Sequence, residues 1–212
     1  MKSKDGVRIW LRPVKLTDVD DIYEYAKSDK VGPMAGWLPH KSIEETEAIV
    51  KGWIIDGPIN LNPSDKEIVY AIVYDKDNEF KSGGGKVVGT FGLTISNKPK
   101  NMRNHYVQKL LDEGKRVGQY GIVISEDYWG LGIATEVLKY ENEYLFENNI
   151  VDIVVANCYE ENIGSAKAQE KAGLNYIGYY EVDKPWWNTN CTTMQCRSLT
   201  QQEWFDKNNY KG

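Results

Sequence analysis

Tyr128-Trp129-Gly130-Leu131-Gly132-Ile133-Ala134-Thr135-Glu136 has the composition of an anion cradle. It follows an apolar run, Tyr120-Gly121-Ile122-Val123-Ile124, and opens into a helical pattern. Two glycines let the backbone approach a ligand closely and adopt torsions that other residues avoid. The first N–H groups of the next helix then point at the anion, with the helix dipole behind them. The chemistry offered is recognition of an anionic, nucleotide-like ligand. A lone Gly-x-Gly turn also fits a dinucleotide fold, a flavin site or a plain tight turn, so the rest of the chain has to decide.

The elements around that turn come from one soluble-type chain. Its 212 residues fit a single domain, 1–212, with a core over about 7–204. Hydrophobic residues make up 41% and charged residues 27%, ordinary values for a globular protein. The net charge of −5 gives no broad basic footprint, so no nucleic-acid partner is expected. No run approaches the ~20 apolar residues of a membrane span, so no membrane partner is expected either. Three cysteines, Cys158, Cys191 and Cys196, match no zinc-ligand spacing and form no disulfide framework. No metal is expected. The start, Met1-Lys2-Ser3-Lys4-Asp5-Gly6, lacks the apolar core of a signal peptide. A reduced, cytoplasmic protein is the expectation.

Strand patterns fall at Val7–Arg12, Ile68–Tyr74, Val87–Ser96, Gly118–Ser125, Ile150–Ala156, Asn175–Val182 and Thr192–Ser198. The first helix runs from about Asp18 to Ser28, with Thr17 as N-cap and Val19, Ile22, Tyr23 and Ala26 on one face. Ser42-Ile43-Glu44-Glu45 is a capping box for a second helix to about Ile55, with Ile43, Thr46, Val50 and Trp53 facing inward. Gly57-Pro58 breaks the chain again, and Asp75–Gly85 is a long hairpin connection. A basic insertion, 97–116, holds a short helix with Val107, Leu110 and Leu111, and reads as a solvated excursion or a flap. Further helices follow at Thr135–Asn148 and from Asn162 to Ala172, the latter stopped by Gly173. Thr200-Gln201-Gln202-Glu203-Trp204 makes a closing turn. The fold class is α/β (mixed α+β): one mixed sheet of six to seven strands with helices on both faces.

With these elements in order, the chain resembles the GNAT N-acetyltransferase superfamily over roughly Val7 to Trp204. Within it, the chain looks like the branch of ribosomal-protein-alanine N-acetyltransferases. The residues carrying this are Trp129-Gly130-Leu131-Gly132-Ile133-Ala134, then Asn162-Ile163-Gly164-Ser165 with Lys171-Ala172-Gly173-Leu174. To these add Ala35-Gly36-Trp37 with Pro39 and Ser42-Ile43-Glu44-Glu45-Thr46, and the closing Ser198–Trp204. Trp129 stands where the superfamily carries Gln or Arg. The resemblance implies acetyl-CoA as co-substrate, lying where the fourth and fifth strands splay apart. It implies main-chain hydrogen bonds from Ile122, Val123 and Ile124 to the pantetheine arm. It places the pyrophosphate on the amides of Gly130, Leu131, Gly132, Ile133, Ala134 and Thr135, and gives Asn162 a contact to CoA.

Acyl transfer from a thioester needs a neutral amine, a proton acceptor and a stabilised thiolate. An amine of pKa near 8 to 10 is mostly protonated at neutral pH, so a base has to take its proton. Ser165 resembles the family hydroxyl near the CoA sulfur, and is also a polar residue in the helix capped by Asn162. Glu126, Asp127, Glu136, Glu160 and Glu161 are candidate bases, and Tyr159 a candidate acid. Trp37 is a candidate floor for the acceptor amine. Trp186-Trp187 would shape the acceptor pocket or a homodimer contact. Two rival readings stay open. One is a nucleotide-dependent oxidoreductase, disfavoured because Thr135 stands where a third glycine is required. The other is a non-catalytic acyl-CoA-binding module.

Overall fold

The computed structural model describes residues 1–54, 59–63, 66–76, 85–98, 104–182 and 192–208. Gly57-Pro58, most of the Asp75–Gly85 connection, Lys100, Arg103, Trp186, Trp187 and Cys191 lie outside the described residues. The strands are β1 (Arg8–Pro13), β2 (Glu67–Asp75), β3 (Lys86–Ser96), β4 (Val117–Ile124), β5 (Ile153–Tyr159), β6 (Asn175–Glu181) and β7 (Thr193–Thr200). They form one sheet in the order β1-β2-β3-β4-β5-β7-β6. Helices among the described residues are α1 (Val19–Ala26), α2 (Gly32–Ala35), α3 (Ile43–Trp53), α4 (His105–Asp112), α5 (Ile133–Glu147), α6 (Ile163–Lys171) and α7 (Gln201–Lys207).

The sheet is mixed, as expected. β1 pairs antiparallel with β2, and β7 antiparallel with β5 and β6, while β4 and β5 run parallel. A parallel pair needs a crossover, and α5 is the helix between them in sequence. The β4–β5 register runs from Val117–Ile153 to Tyr120–Ala156. β4 continues to Ile124 and β5 to Tyr159 beyond that last pair.

By its contacts the chain divides into two compact units. The first comprises Met1–Ile59, Glu67–Gly92 and Ile122–Val137. Its core joins Ile22, Tyr25 and Ala26 of α1 to Val50 of α3 and to Val69, Ala71 and Val73 of β2. The inward face of α1 is Ile22, Tyr25 and Ala26, at the i, i+3, i+4 spacing of one helical stripe. Tyr23 is only half-buried. Thr17 is not the N-cap. The chain enters α1 through a short 3-10 turn, Leu16–Asp18. Buried Asp18 accepts two 2.6 Å hydrogen bonds from the Arg12 guanidinium and one of 2.8 Å from the Lys15 N–H. That carboxylate fixes the helix entry. Ser42 caps α3 by accepting from the Glu45 N–H at 3.3 Å. The Glu45 carboxylate reaches the Lys41 N–H, one residue earlier than a full capping box requires. Ile43 is exposed, not inward-facing.

The second unit comprises Asn60–Lys66, Leu93–Gly121 and Leu138–Gly212. β5 starts at Ile153, three residues later than its apolar run suggests. Asp152 accepts from the Arg116 N–H at 2.7 Å and from its guanidinium at 2.6 Å, and its carbonyl takes the Gln201 N–H. A residue so committed to turn bonds leaves the ladder. The insertion's described part is a packed helix, not a solvated excursion. Asn104 caps α4, accepting from the Tyr106 and Val107 N–H groups. Val107 and Leu111 are fully buried beside Val117, Ile153, Val155 and Cys196. Thr200 and Glu203 form the capping box that opens α7.

Candidate active site

In the first unit, β4 ends at Ile124 and a 3-10 turn, Glu126–Tyr128, carries the chain into the glycine loop. Ile122, Val123 and Ile124 are each half-buried, although they close a strand in the middle of the sheet. Gly89 of β3 lies directly against the Val123 carbonyl, so close that a Cβ at Gly89 would overlap it. Trp129 turns back on this strand end, and its indole N–H donates to the Ile124 carbonyl at 2.8 Å. Gly130 and Gly132 both hold positive φ, +81° and +77°. Those torsions are cheap only for glycine, and they let successive peptide units of a loop form an anion-binding concavity.

The Gly132 carbonyl accepts the Glu136 N–H at 3.1 Å, so α5 begins with Ile133, Ala134 and Thr135 as its first turn. The N–H groups of that turn have no acceptor inside a helix. None is seen for them among the described residues. Glu136 stands in the same first turn, where a carboxylate complements the helix dipole. Around Gly130 the space where a side chain would stand is open to 4 Å. Open space, glycine torsions and unpaired amides together suit a diphosphate. Gly132 differs: a Cβ there would come within 3.2 Å of the Lys4 side chain. A substitution at Gly132 would thus meet Lys4 first.

The other candidates of this unit have partners of their own. Glu126 is ion-paired with Lys30 at 3.0 Å, and Asp127 is exposed. Trp37 is half-buried against the core, 5.2 Å from the His40 ring. His40 in turn shares a 2.8 Å hydrogen bond with Thr46, and burial holds its imidazole below the usual histidine range. One carboxylate escaped sequence reasoning. Glu67 rests on Gly92 of β3, its Oε1 filling the space a Cβ would need. Burial pushes its carboxyl up. The available signal was a glycine inside an otherwise apolar strand, which marks a close approach.

In the second unit, Asn162 is the N-cap of α6 and accepts from the Ser165 N–H at 3.0 Å. The Ser165 hydroxyl accepts from Gln169 Nε2, one turn on, at 3.1 Å. The same hydroxyl also hydrogen-bonds the Cys158 side chain. Burial pushes the neighbouring Cys158 thiol up, while side-chain hydrogen bonds with Ser165 and Gln169 pull it back. Tyr159 is buried at the end of β5, and its carbonyl accepts the Asn162 N–H at 2.9 Å. Glu160 and Glu161 are exposed. Among the described residues no group of three or more His, Cys, Asp or Glu is placed to hold a metal ion, and no helix is long and apolar enough to cross a membrane.

Residues 8–175 match a family model described as an acetyltransferase (GNAT) domain. No curated protein sequence matches the chain significantly. Solved structures share the fold. The GNAT-family acetyltransferase of Bacillus anthracis superposes with TM-score 0.65 at 16% identity, covering 92% of this chain and 96% of its own. The microcin C7 self-immunity acetyltransferase MccE, solved with acetyl-CoA and AMP, gives 0.63 at 16% identity, covering 91% and 92%. A chimera of spermidine N-acetyltransferase SpeG from Vibrio cholerae and hSSAT gives 0.61 at 15% identity, covering 93% and 98%. With the family model spanning most of its length, the chain belongs to the GNAT acetyltransferase family.

Proposed function

We propose that this enzyme moves the acetyl group of acetyl-CoA onto a primary amine, and that its first acceptor class is a protein N-terminal α-amine. The observation that carries the acetyl-CoA half is the glycine loop, where positive-φ glycines lead into unpaired amides at the start of α5. Those amides, from Gly130 to Thr135, hold the diphosphate. The half-buried end of β4, Ile122 to Ile124, receives the pantetheine arm along its main chain. The protein-acceptor half rests on sequence: Tyr128-Trp129-Gly130-x-Gly132 running into Ala134-Thr135-Glu136, and the closing Ser198–Trp204, resemble the ribosomal-protein-alanine branch. A small-molecule amine is the second reading, favoured by relatives named for spermidine and for microcin C7 self-immunity. A non-catalytic acyl-CoA-binding module is the alternative outside enzymology.

The reaction is one acyl transfer. The amine nitrogen attacks the thioester carbonyl, an N–C bond forms, and the C–S bond breaks with its electron pair leaving on sulfur. Ser165, whose hydroxyl is positioned by the Gln169 amide, turns its O–H to that thiolate and stabilises it. Glu136 accepts the amine proton, directly or through water, and Tyr159 acts as an acid toward the departing sulfur. Trp37 floors the amine site. A backbone N–H at the end of β4 faces the developing oxyanion. Thiol release from acetyl-CoA against a panel of N-terminal peptides and small amines, with CoA affinity measured in parallel, tests all readings at once. Release with Ala- or Ser-initiated peptides supports the first and release with polyamines the second. Tight CoA binding without release for any acceptor supports the binding module.

A further inference from the structure

The N-terminal residues belong to none of the motifs above, yet they lie on the glycine loop. Ile9 N–H donates to the Met1 carbonyl, Lys2 bridges Arg8, and Ser3 N–H donates to Val7, folding the start of the chain back along β1. Gly6, at φ +81°, makes the turn. Asp5 anchors it: its carboxylate accepts hydrogen bonds from the Ser3 hydroxyl and from Tyr74 of β2. These bonds hold its carboxyl below the usual range. Tyr74 also packs edge-on against Tyr128, 5.1 Å away, just before the loop.

Lys4 therefore reaches the loop from a fixed base. Its main-chain N–H donates to the Leu131 carbonyl at 2.8 Å, and its Nζ donates to the Gly130 carbonyl at 2.9 Å. Its methylenes cover Gly132. In a planar trans peptide the C=O and the N–H point opposite ways, and the described chain has no cis bond. A Gly130 carbonyl held toward Lys4 turns the Leu131 N–H away from it. A Leu131 carbonyl held toward Lys4 does the same for the Gly132 N–H. Both amides then face the side opposite Lys4, and the ammonium offsets negative charge gathered there.

We propose that Lys4 is the positioning residue of the diphosphate cradle, fixing two loop carbonyls so that the amides of Leu131 and Gly132 face the diphosphate of acetyl-CoA. This rests on the reading of the loop as the diphosphate site. Binding of CoA and of pantetheine, which lacks the diphosphate, separates the two ideas without needing an acceptor. Wild type, Lys4→Met and Lys4→Arg are titrated with each ligand by calorimetry. Lys4→Met keeps the alkyl packing and removes the charge and the side-chain donor. It weakens CoA about tenfold, as expected for one charge-assisted hydrogen bond, and leaves pantetheine unchanged. Lys4→Arg restores CoA affinity to within about threefold, and the Lys4→Met loss shrinks in high salt. Wild-type CoA affinity in Lys4→Met overturns the role of Lys4, as does equal loss of both ligands. If wild type binds CoA no more tightly than pantetheine, the diphosphate reading itself fails.

Discussion

The Trp129 indole nitrogen donates to the Ile124 carbonyl at 2.8 Å, tying the first residue of the glycine motif to the last residue of β4. The superfamily motif has Gln or Arg here, also side chains with N–H donors. In this chain the donor is spent on the protein's own backbone, so it sets the spacing between the end of β4 and the loop. Trp129→Phe keeps an aromatic ring and removes the bond. Trp129 is half-exposed, so stability changes little. CoA affinity falls about fivefold, the size of one ordinary hydrogen bond. Calorimetry showing unchanged affinity would leave this bond without a role in the cradle.

Gly89 controls the same strand end from its neighbour. A Cβ at Gly89 meets backbone, the Val123 carbonyl and the Ile124 Cα, and backbone cannot rotate away as a side chain tip can. Gly89→Ala pushes the end of β4 aside and costs about 1–3 kcal/mol of stability. Its CoA affinity falls more than that of a glycine-to-alanine control at Gly52, where a Cβ meets open space. Equal melting temperatures and affinities in the two variants would show that β4 absorbs the methyl.

Strands and caps were legible because they are written locally. Apolar alternation found β2 and β3 to within a residue or so, and Asn162 and Ser42 cap the helices that follow them. The glycine loop was legible for the same reason. Misses came where a distant partner decides. Asp152 looks like a flaw inside a strand until Arg116 is beside it, and Asp18 outranks Thr17 because Arg12 binds it. Lys4 gave no signal at all: its meaning depends on carbonyls of Gly130 and Leu131, far along the chain. Glu67 is similar, intelligible only once Gly92 lies under it.

Asn162 and Ser165 share one helix turn but should separate in the test tube. Asn162→Ala removes an N-cap and costs about 1 kcal/mol of stability. Ser165→Ala removes only a hydroxyl, and the Gln169 amide loses its 3.1 Å acceptor. If Ser165 stabilises the departing thiolate, kcat falls about tenfold or more while KM for acetyl-CoA changes little. Steady-state kinetics with kcat unaltered would reduce Ser165 to a residue of α6.

The insertion helix is a test of structure against flap. Leu111 is fully buried in the cluster with Val117, Val155 and Cys196. Leu111→Ala removes buried methyls and costs about 2–5 kcal/mol. Denaturant unfolding reads that loss directly. A mobile flap would show almost none, and an unchanged midpoint would contradict the packing of α4.

Glu141 predicts how stability responds to pH. It lies in α5, only 6% exposed. Burial pushes its carboxyl from 4.5 up to about 7. Tyr120 faces it, its phenol raised by burial and by the Glu141 charge, and donates to Asn142 at 3.0 Å. Asn142 in turn donates to the Ala172 carbonyl at 3.0 Å. A raised carboxyl means the native state keeps a proton that the unfolded chain gives up. Between 4.5 and about 7 the native state binds more protons, so stability falls as pH rises through that window. The contribution is complete below 4.5 and gone above about 7. Glu141→Gln stays neutral throughout, so its melting temperature loses this slope and exceeds that of wild type at pH 8. Melting temperatures of both proteins measured from pH 5 to pH 8 decide it: parallel curves would mean that Glu141 ionises at its ordinary pH inside the fold.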